Sequence, residues 1–247
     1  MPDQAPRVSI VIPAKNEEER LPASIREIRR VFPTEEWEFL IVVEPGSDRT
    51  GEVARREAGG DPRFEILRNP TAHGKGHAVK SGMLRARGDW IFFMDADLSV
   101  PLRFVHEFLR STERADVLMG SRRHRESRIP IRQPLPREAA GRVFNRILKL
   151  AGVTRFSDTQ CGFKAFRRVA AREIFSRLQQ QGFGFDVEVV ALAETLGFRI
   201  LELPVEWADV AGSQLRPLRD GISALLDAIL AVRRVRREYG KKCQASE

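Results

Sequence analysis

The sequence predicts an α/β protein with a mostly parallel central sheet and helices on both faces. Short apolar runs recur along the first half of the chain, and segments with helical periodicity separate them. Runs without polar alternation are typical of strands that are buried on both faces. Strands that alternate with helices pair in parallel, because each helix returns the chain to the start of the next strand.

Five strands are predicted in the first half. They are Val8–Ile12, Phe39–Val43, Phe64–Leu67, Trp90–Met94 and Asp116–Gly120. Asn16 is predicted to cap a helix with an acidic first turn after the first strand. A polar helix that ends at about Ala58 is predicted after the second strand. Further helices are predicted over His77–Ala86 and around Leu102, Val105 and Leu109.

The second half is less regular. Ser121–Pro136 is rich in arginine and proline, which is typical of a functional loop. An amphipathic helix with Val143 and Ile147 follows, and Ser157–Lys164 is too polar and irregular for a core element. The remaining predicted elements are a helix over Gly182–Leu196, a strand over Arg199–Val205 and a helix over Asp220–Tyr239. We expect one catalytic domain over residues 1–213 and a basic amphipathic helix and tail over 214–247.

Composition restricts the partners. The 247 residues include 42 Lys and Arg against 34 Asp and Glu, a net charge of +8, which favours an anionic partner. Nucleic acid is not expected, because the sequence has no helix-turn-helix, finger or aromatic stacking platform. Two distant cysteines, Cys161 and Cys243, indicate a reducing cytosol rather than a disulfide framework. No apolar run reaches the roughly 18 residues of a membrane helix, so we expect a cytoplasmic protein that is soluble or bound at a membrane surface.

Two acids follow the most apolar predicted strand. Asp95 and Asp97 leave the same side of an extended chain, at the sheet edge where open α/β folds bind ligands. With the hydroxyl of Ser99 they suit a hard divalent cation such as Mg²⁺ or Mn²⁺. The alternative is that these residues only cap the next helix.

Two basic features favour a phosphate ligand. Lys75 lies between two glycines at the start of a predicted helix, where backbone N–H groups and an ammonium can meet a phosphate. An ordinary flexible turn would have the same composition. The arginines of Ser121–Pro136 suit bidentate phosphate recognition, although they could also form a solvated surface.

Together these motifs resemble family 2 glycosyltransferases of the GT-A nucleotide-sugar-binding fold, and among them the dolichyl-phosphate glucose synthase and dolichyl-phosphate mannose synthase group. The resemblance extends from Val8 to about Leu215. Its motifs are Val8–Glu18, Gly74–Gly76 with Ala78 and Val79, Met94–Ser99, Gly120–Arg122 and Asp158–Lys164. Three further motifs favour the branch that transfers glucose from UDP-glucose: Phe185–Glu188, Pro204–Trp207 and Gly212–Leu215.

The resemblance implies roles for individual residues. Those expected to bind the nucleotide-sugar are Pro13, Ala14, Asn16, Glu17, Glu44, Gly46, Ser47, Lys75, Asp95 and Ala96. Those expected to hold the metal are Asp95, Asp97 and Ser99, and those expected to hold the acceptor phosphate are Arg122, Arg132 and Arg137. The sequence departs from the family at Glu44, where a paired Asp is usual, and at Gln214, where a lysine is usual.

The implied reaction is metal-dependent, inverting transfer of a hexose, with glucose preferred, from UDP-glucose or GDP-mannose to a polyprenyl or dolichyl phosphate. Asp97, Arg122, Arg137 and Asp158 are the expected catalytic residues. Two alternatives stay open, namely transfer to a hydroxyl with Asp158 as general base, and a silent GT-A-like module that binds anions. The basic C-terminal helix either binds an anionic membrane surface or packs on the domain.

Overall fold

The computed structural model describes residues 7–182, 184–210 and 217–243, and the side chains of 217–224 and 241–243 are not described. The strands are β1 (Val8–Ala14), β2 (Trp37–Val43), β3 (Phe64–Arg68), β4 (Trp90–Met94), β5 (Val117–Ser121), β6 (Arg128–Ile131), β7 (Phe163–Arg167), β8 (Ile200–Pro204) and β9 (Glu206–Ala208). The helices are α1 (Leu21–Val31), α2 (Thr50–Ala58), α3 (Lys75–Arg85), α4 (Arg103–Leu109), α5 (Leu135–Leu150), α6 (Arg168–Arg177), α7 (Phe185–Thr195) and α8 (Pro217–Cys243).

The central sheet has seven strands in the order β3-β2-β1-β4-β7-β5-β8. Strand β7 is antiparallel to both of its neighbours, and the other pairings are parallel. Alternate residues of β1 belong to two separate cores, one under α1, α2 and α4 and the other under α3, α6, α7 and α8. The predicted mostly parallel sheet with helices on both faces is therefore confirmed.

The interpretation of Ser157–Lys164 as too polar for the core was wrong. Strand β7 begins at Phe163 in the middle of the sheet, and Asp158, Thr159 and Lys164 are all buried. A lysine is tolerated there because its ammonium donates to Asp186 at 2.5 Å and to the carbonyl of Cys161 at 2.7 Å. A buried polar strand of this kind depends on a partner 22 residues away, which local composition does not reveal.

Two local predictions are also corrected. Part of the arginine-rich loop forms β6, which pairs in parallel with β9 in a small second sheet. Asn16 does not cap α1, because that helix begins at Leu21 and its cap position is Arg20. Instead Asn16 has a positive φ of 54° and its side-chain oxygen accepts the backbone N–H of Ser47 at 2.8 Å.

The C-terminal helix α8 packs against α7 and α5. Its buried side includes Ala228, Val232 and Val235, while Leu226 is exposed. No helix within the described residues combines the length and the apolarity that crossing a membrane requires. The expected boundary between residues 213 and 214, together with Gly212–Leu215, lies outside the described residues, so the division into two parts stays a prediction.

Candidate active site

A cavity of about 460 Å³ opens beyond the carboxyl ends of β1 and β4. Parallel strands bring their following loops to the same sheet edge, which explains why residues far apart in sequence meet here. The expected site residues that line the cavity are Pro13, Ala14, Glu17, Glu44, Lys75, Asp95, Ala96, Asp97, Ser99, Arg122 and Arg137. Those that do not line it are Asn16, Gly46, Ser47, Arg132 and Asp158.

The acidic loop after β4 concentrates negative charge on one wall of the cavity. Asp95 pairs with the ammonium of Lys75 at 2.5 Å, and Asp97 accepts the backbone N–H of Ser99 at 3.0 Å. Burial, reinforced by the charge of Asp95, raises the pKa of the Asp97 carboxyl. A cation bound beside Asp95 and Asp97 would therefore stabilise the ionised form of Asp97.

The donor set decides which metal sites are possible. Among the described residues, no group of three or more His, Cys, Asp or Glu side chains is close enough to form a metal site alone. Mg²⁺ commonly binds through one or two protein carboxylates and completes its shell with water and substrate phosphates. Asp95 and Asp97 therefore fit a divalent ion that shares its coordination with a diphosphate, and they do not fit an all-protein cage. The hydroxyl of Ser99 as a ligand stays a prediction.

The loop that carries Lys75 is held from two sides. The buried carboxylate of Glu44 accepts the backbone N–H groups of His73 at 2.8 Å and Gly74 at 3.3 Å. On the other side, the N–H of Gly76 donates to the carbonyl of Gln181 at 2.7 Å. A Cβ added at Gly76 would lie 2.5 Å from the carbonyl oxygen of Gln180, so a larger residue would push the two segments apart.

Lys75 lies in a field of carboxylates. Burial alone would lower the pKa of its ammonium, but the charges of Asp95 and Asp186 outweigh burial and raise that pKa. Asp186 itself is buried and is ion-paired with Lys164, and burial raises the pKa of its carboxyl. The raised pKa favours the ammonium form of Lys75, which brings a positive charge to the cavity lining.

A second charged pair lies at the cavity. Asp158 is buried and accepts three hydrogen bonds from Arg122, from Nε at 2.7 Å, Nη2 at 2.8 Å and the backbone N–H at 3.0 Å. Burial alone would raise the pKa of the Asp158 carboxyl, yet the Arg122 guanidinium holds it below its usual value. Arg122 also lies 5.5 Å from the ring centroid of Trp207. Asp158 thus orients Arg122, and Arg122 lines the cavity.

The other arginines separate into two environments. Arg137, in the first turn of α5, lines the cavity together with Arg122. Arg132 is exposed and lies outside that lining.

The predicted nucleoside loops contact each other. Asn16 joins the loop after β1 to Ser47 in the loop after β2, and a Cβ at Gly46 would lie 2.2 Å from the Asn16 side-chain oxygen. These three residues support the cavity rather than line it. Glu17 does line it, and burial raises the pKa of its carboxyl although Arg20 pairs with it at 2.7 Å.

Several cavity residues had no expected role. Gly162 faces the acidic loop so closely that a Cβ there would lie 2.1 Å from a carboxylate oxygen of Asp95. Asp186, Trp207 and Asp209 also line the cavity. Gly162, Asp186 and Trp207 belong to motifs that carried the resemblance, so the signal was present but was not assigned to the site.

Fold and cavity together define a nucleotide-sugar glycosyltransferase of the GT-A class. Residues 9–175 match the family described as Glycosyl transferase family 2, and the chain belongs to that family. The predicted family, fold and enzyme class are confirmed.

Named relatives agree with this assignment. The chain is 33% identical over 225 residues to a dolichyl-phosphate beta-glucosyltransferase of Trichomonas vaginalis, covering 85% of this chain and 68% of that protein. It is 33% identical over 226 residues to a dolichyl-phosphate beta-glucosyltransferase of Drosophila melanogaster, covering 85% and 69%. The chain thus spans about two thirds of the length of these relatives.

A solved structure shares the fold. Glucosyl-3-phosphoglycerate synthase from Mycobacterium tuberculosis, crystallised with Mn²⁺, uridine diphosphate and glucosyl-3-phosphoglycerate, superimposes with a TM-score of 0.66. The match covers 93% of this chain and 80% of that one at 18% identity.

Proposed function

We propose that this glycosyltransferase moves a hexose, with glucose preferred, from a nucleotide-sugar to a polyprenyl or dolichyl phosphate, with inversion at the anomeric carbon. The observation that carries the proposal is one cavity that brings together the acids Asp95 and Asp97 and the arginines Arg122 and Arg137. The dolichyl-phosphate beta-glucosyltransferases among the relatives support this acceptor and this sugar.

The donor would lie along the acidic wall. Asp95 and Asp97 would hold Mg²⁺ or Mn²⁺, and when bound this ion would stabilise the negative charge on the departing nucleotide diphosphate. Lys75 brings a second positive charge to the same wall. UDP-glucose is the preferred donor because Phe185–Glu188 and Pro204–Trp207 resemble the branch that transfers glucose. GDP-mannose is the alternative, because Glu44 stands where the family usually has an aspartate.

The acceptor needs positioning more than activation. A phosphate monoester has a second pKa of about 6, so its oxygen is already anionic at neutral pH. Arg122, oriented by Asp158, and Arg137 would hold this phosphate in line with the anomeric carbon. The phosphate oxygen forms the new bond to that carbon as the bond to the nucleotide diphosphate breaks, and no proton has to move. A hydroxyl acceptor would need a base, and Asp158 is a poor one because Arg122 occupies its carboxylate.

An anionic membrane surface is the proposed partner of the folded enzyme. Polyprenyl phosphates reside in lipid, and α8 exposes Arg233, Arg236 and Arg237. The side chains of Lys241 and Lys242 lie outside those described. We place the enzyme at the cytoplasmic face of a membrane.

Donor and acceptor are tested together in detergent solution. UDP-glucose, GDP-mannose and UDP-N-acetylglucosamine are incubated with the enzyme and Mn²⁺, with and without a short-chain prenyl phosphate, and nucleotide release is followed. We expect rapid release from UDP-glucose only when the prenyl phosphate is present, and a β-linked product by NMR. Equal release with a prenyl alcohol in place of the phosphate would contradict the proposal.

A further inference from the structure

Helix α5 lines the active-site cavity with one side and faces solvent with another. Arg137, Gly141 and Phe144 line the active-site cavity from this helix. Only two of its residues, Asn145 and Leu148, are buried. Most of the remaining surface of α5 therefore faces solvent although the helix forms part of the cavity wall.

The solvent side of α5 is apolar along one line. Val143, Ile147 and Leu150 follow each other at helical spacing and are 57%, 38% and 79% exposed. We call these three residues the outer stripe. The sequence predicts an amphipathic helix here, and such a helix ordinarily turns its apolar side toward the core.

Basic residues accompany the outer stripe. Arg142, Arg146 and Lys149 occupy the preceding positions at the same spacing and are exposed. Apolar residues beside a row of cations are typical of helices that lie in the interface of an anionic bilayer.

Helix α8, which packs against α5, repeats this pattern. Leu226 and Leu230 are 56% and 61% exposed, and Arg233 and Arg237 continue the same line at helical spacing. Two neighbouring helices thus expose apolar side chains next to arginines. Scattered exposed apolar residues are ordinary, but an aligned set marks an interaction site.

We propose that the outer stripe of α5 and the exposed line of α8 form a docking surface for an anionic lipid bilayer. The proposal deepens the proposed function and rests on it for one point, namely that the acceptor phosphate resides in lipid. Charge selects the occupant, because a second copy of this chain would bring one row of cations against another, whereas anionic headgroups complement both rows. Since the cavity wall and the outer stripe belong to the same helix, docking would place the active site beside the headgroups.

Vesicle binding tests the surface directly. The full protein carrying Val143→Glu and Ile147→Glu is compared with the wild type by co-sedimentation with vesicles of phosphatidylcholine and phosphatidylglycerol. We expect at least a tenfold loss of partitioning. The matched control is Val169→Glu on α6, because Val169 is 63% exposed and belongs to neither helix, and it should bind as the wild type does.

Activity separates this proposal from the proposed function. With a water-soluble short-chain prenyl phosphate, the double variant should match the wild type within about twofold, because neither substituted residue lines the cavity. With a long-chain prenyl phosphate in anionic vesicles, its rate should fall at least tenfold. Failure of the wild type with both acceptors would refute the proposed function, not the surface.

Three results would overturn the docking surface. The first is unchanged vesicle binding by the double variant, with circular dichroism showing that it is folded. The second is equal wild-type binding to vesicles of phosphatidylcholine alone. The third is a wild-type dimer in sedimentation velocity that the same substitutions dissociate, since that result would make the surface a contact between copies of the chain.

Discussion

Asp97 and Asp158 are both aspartates at the active site, yet their surroundings have opposite effects on their charge. Asp97 lines the cavity, close enough to Asp95 for the two charges to repel, and its carboxyl has a raised pKa. Asp158 is buried and does not line the cavity, it accepts three hydrogen bonds from Arg122, and its carboxyl has a lowered pKa. Within the described residues the structure gives Asp97 no ion pair, whereas Asp158 is ion-paired with Arg122.

The difference teaches which carboxylate can do chemistry. Burial raises the free energy of an ionised carboxylate that has no ion pair, so such a carboxylate can bind a metal together with its diphosphate. A carboxylate paired with a guanidinium cannot also accept a proton from substrate without breaking that pair. Asp97 is thus a candidate ligand and Asp158 a positioning residue, which separates the phosphate acceptor from the hydroxyl acceptor.

The largest expected effect is loss of the cavity carboxylate. Asp97→Asn removes a charge that the metal needs, and loss of metal stabilisation costs several kcal/mol, roughly a thousandfold in rate. Initial rates with UDP-glucose and short-chain prenyl phosphate measure it, with Asp227→Asn on α8 as the matched control. Turnover of Asp97→Asn near the wild-type level, or undiminished wild-type activity in excess chelator, would contradict the assignment of a metal to Asp97.

The next effect compares the two acceptor classes. Arg137→Ala should lose about 1.5 to 3 kcal/mol of transition-state binding, ten- to a hundredfold in rate, because the acceptor phosphate loses a charged contact. Asp158→Asn should lose less rate than the roughly 10²- to 10⁴-fold expected for a general base. Rates are measured against pH, below the melting temperature of each variant. An inactive Asp158→Asn beside a nearly normal Arg137→Ala would favour the hydroxyl acceptor.

The smallest effects are those on stability, and they should have opposite signs. The lowered pKa of Asp158 gives stability above the ordinary aspartate pKa of about 3.9, lost as pH falls through the lowered value. The raised pKa of Asp97 acts the other way, so stability falls as pH rises from about 3.9 through the raised value. Without metal at neutral pH, Asp97→Asn should therefore be more stable than wild type and Asp158→Asn less stable. Urea unfolding in chelator measures both, and shifts of the same sign would contradict the comparison.

The sequence predicted the strands that are buried on both faces. The prediction for β4 matches the structure, and those for β1 and β2 differ by two residues, because continuous apolar runs identify such strands. It missed β7, whose lysine is neutralised by Asp186 of α7, and it missed β6 and β9, which are short and pair with each other outside the central sheet. These elements depend on contacts between distant segments.

In the active site, too, the sequence indicated individual residues but not the contacts between them. The sequence indicated Lys75 and Asp95 separately, and the structure joins them in one ion pair. It could not show that Asp158 is paired with Arg122 and does not line the cavity, because the fold determines the partner of a carboxylate. Nor could it show that the apolar line of α5 faces solvent, since periodicity defines a stripe without saying what covers it.

The contacts of α8 bear on how the protein is made. Arg234 pairs with Glu188, whose buried carboxylate accepts the N–H groups of Gln179 and Gln180. The carbonyl of Gln181, the next residue along the chain, accepts the N–H of Gly76, which follows Lys75. Because synthesis proceeds from the N-terminus, Glu188 stays without this arginine until residue 234 has left the ribosome. The loop of Lys75 is therefore expected to reach its final support only after residue 234 has been synthesised.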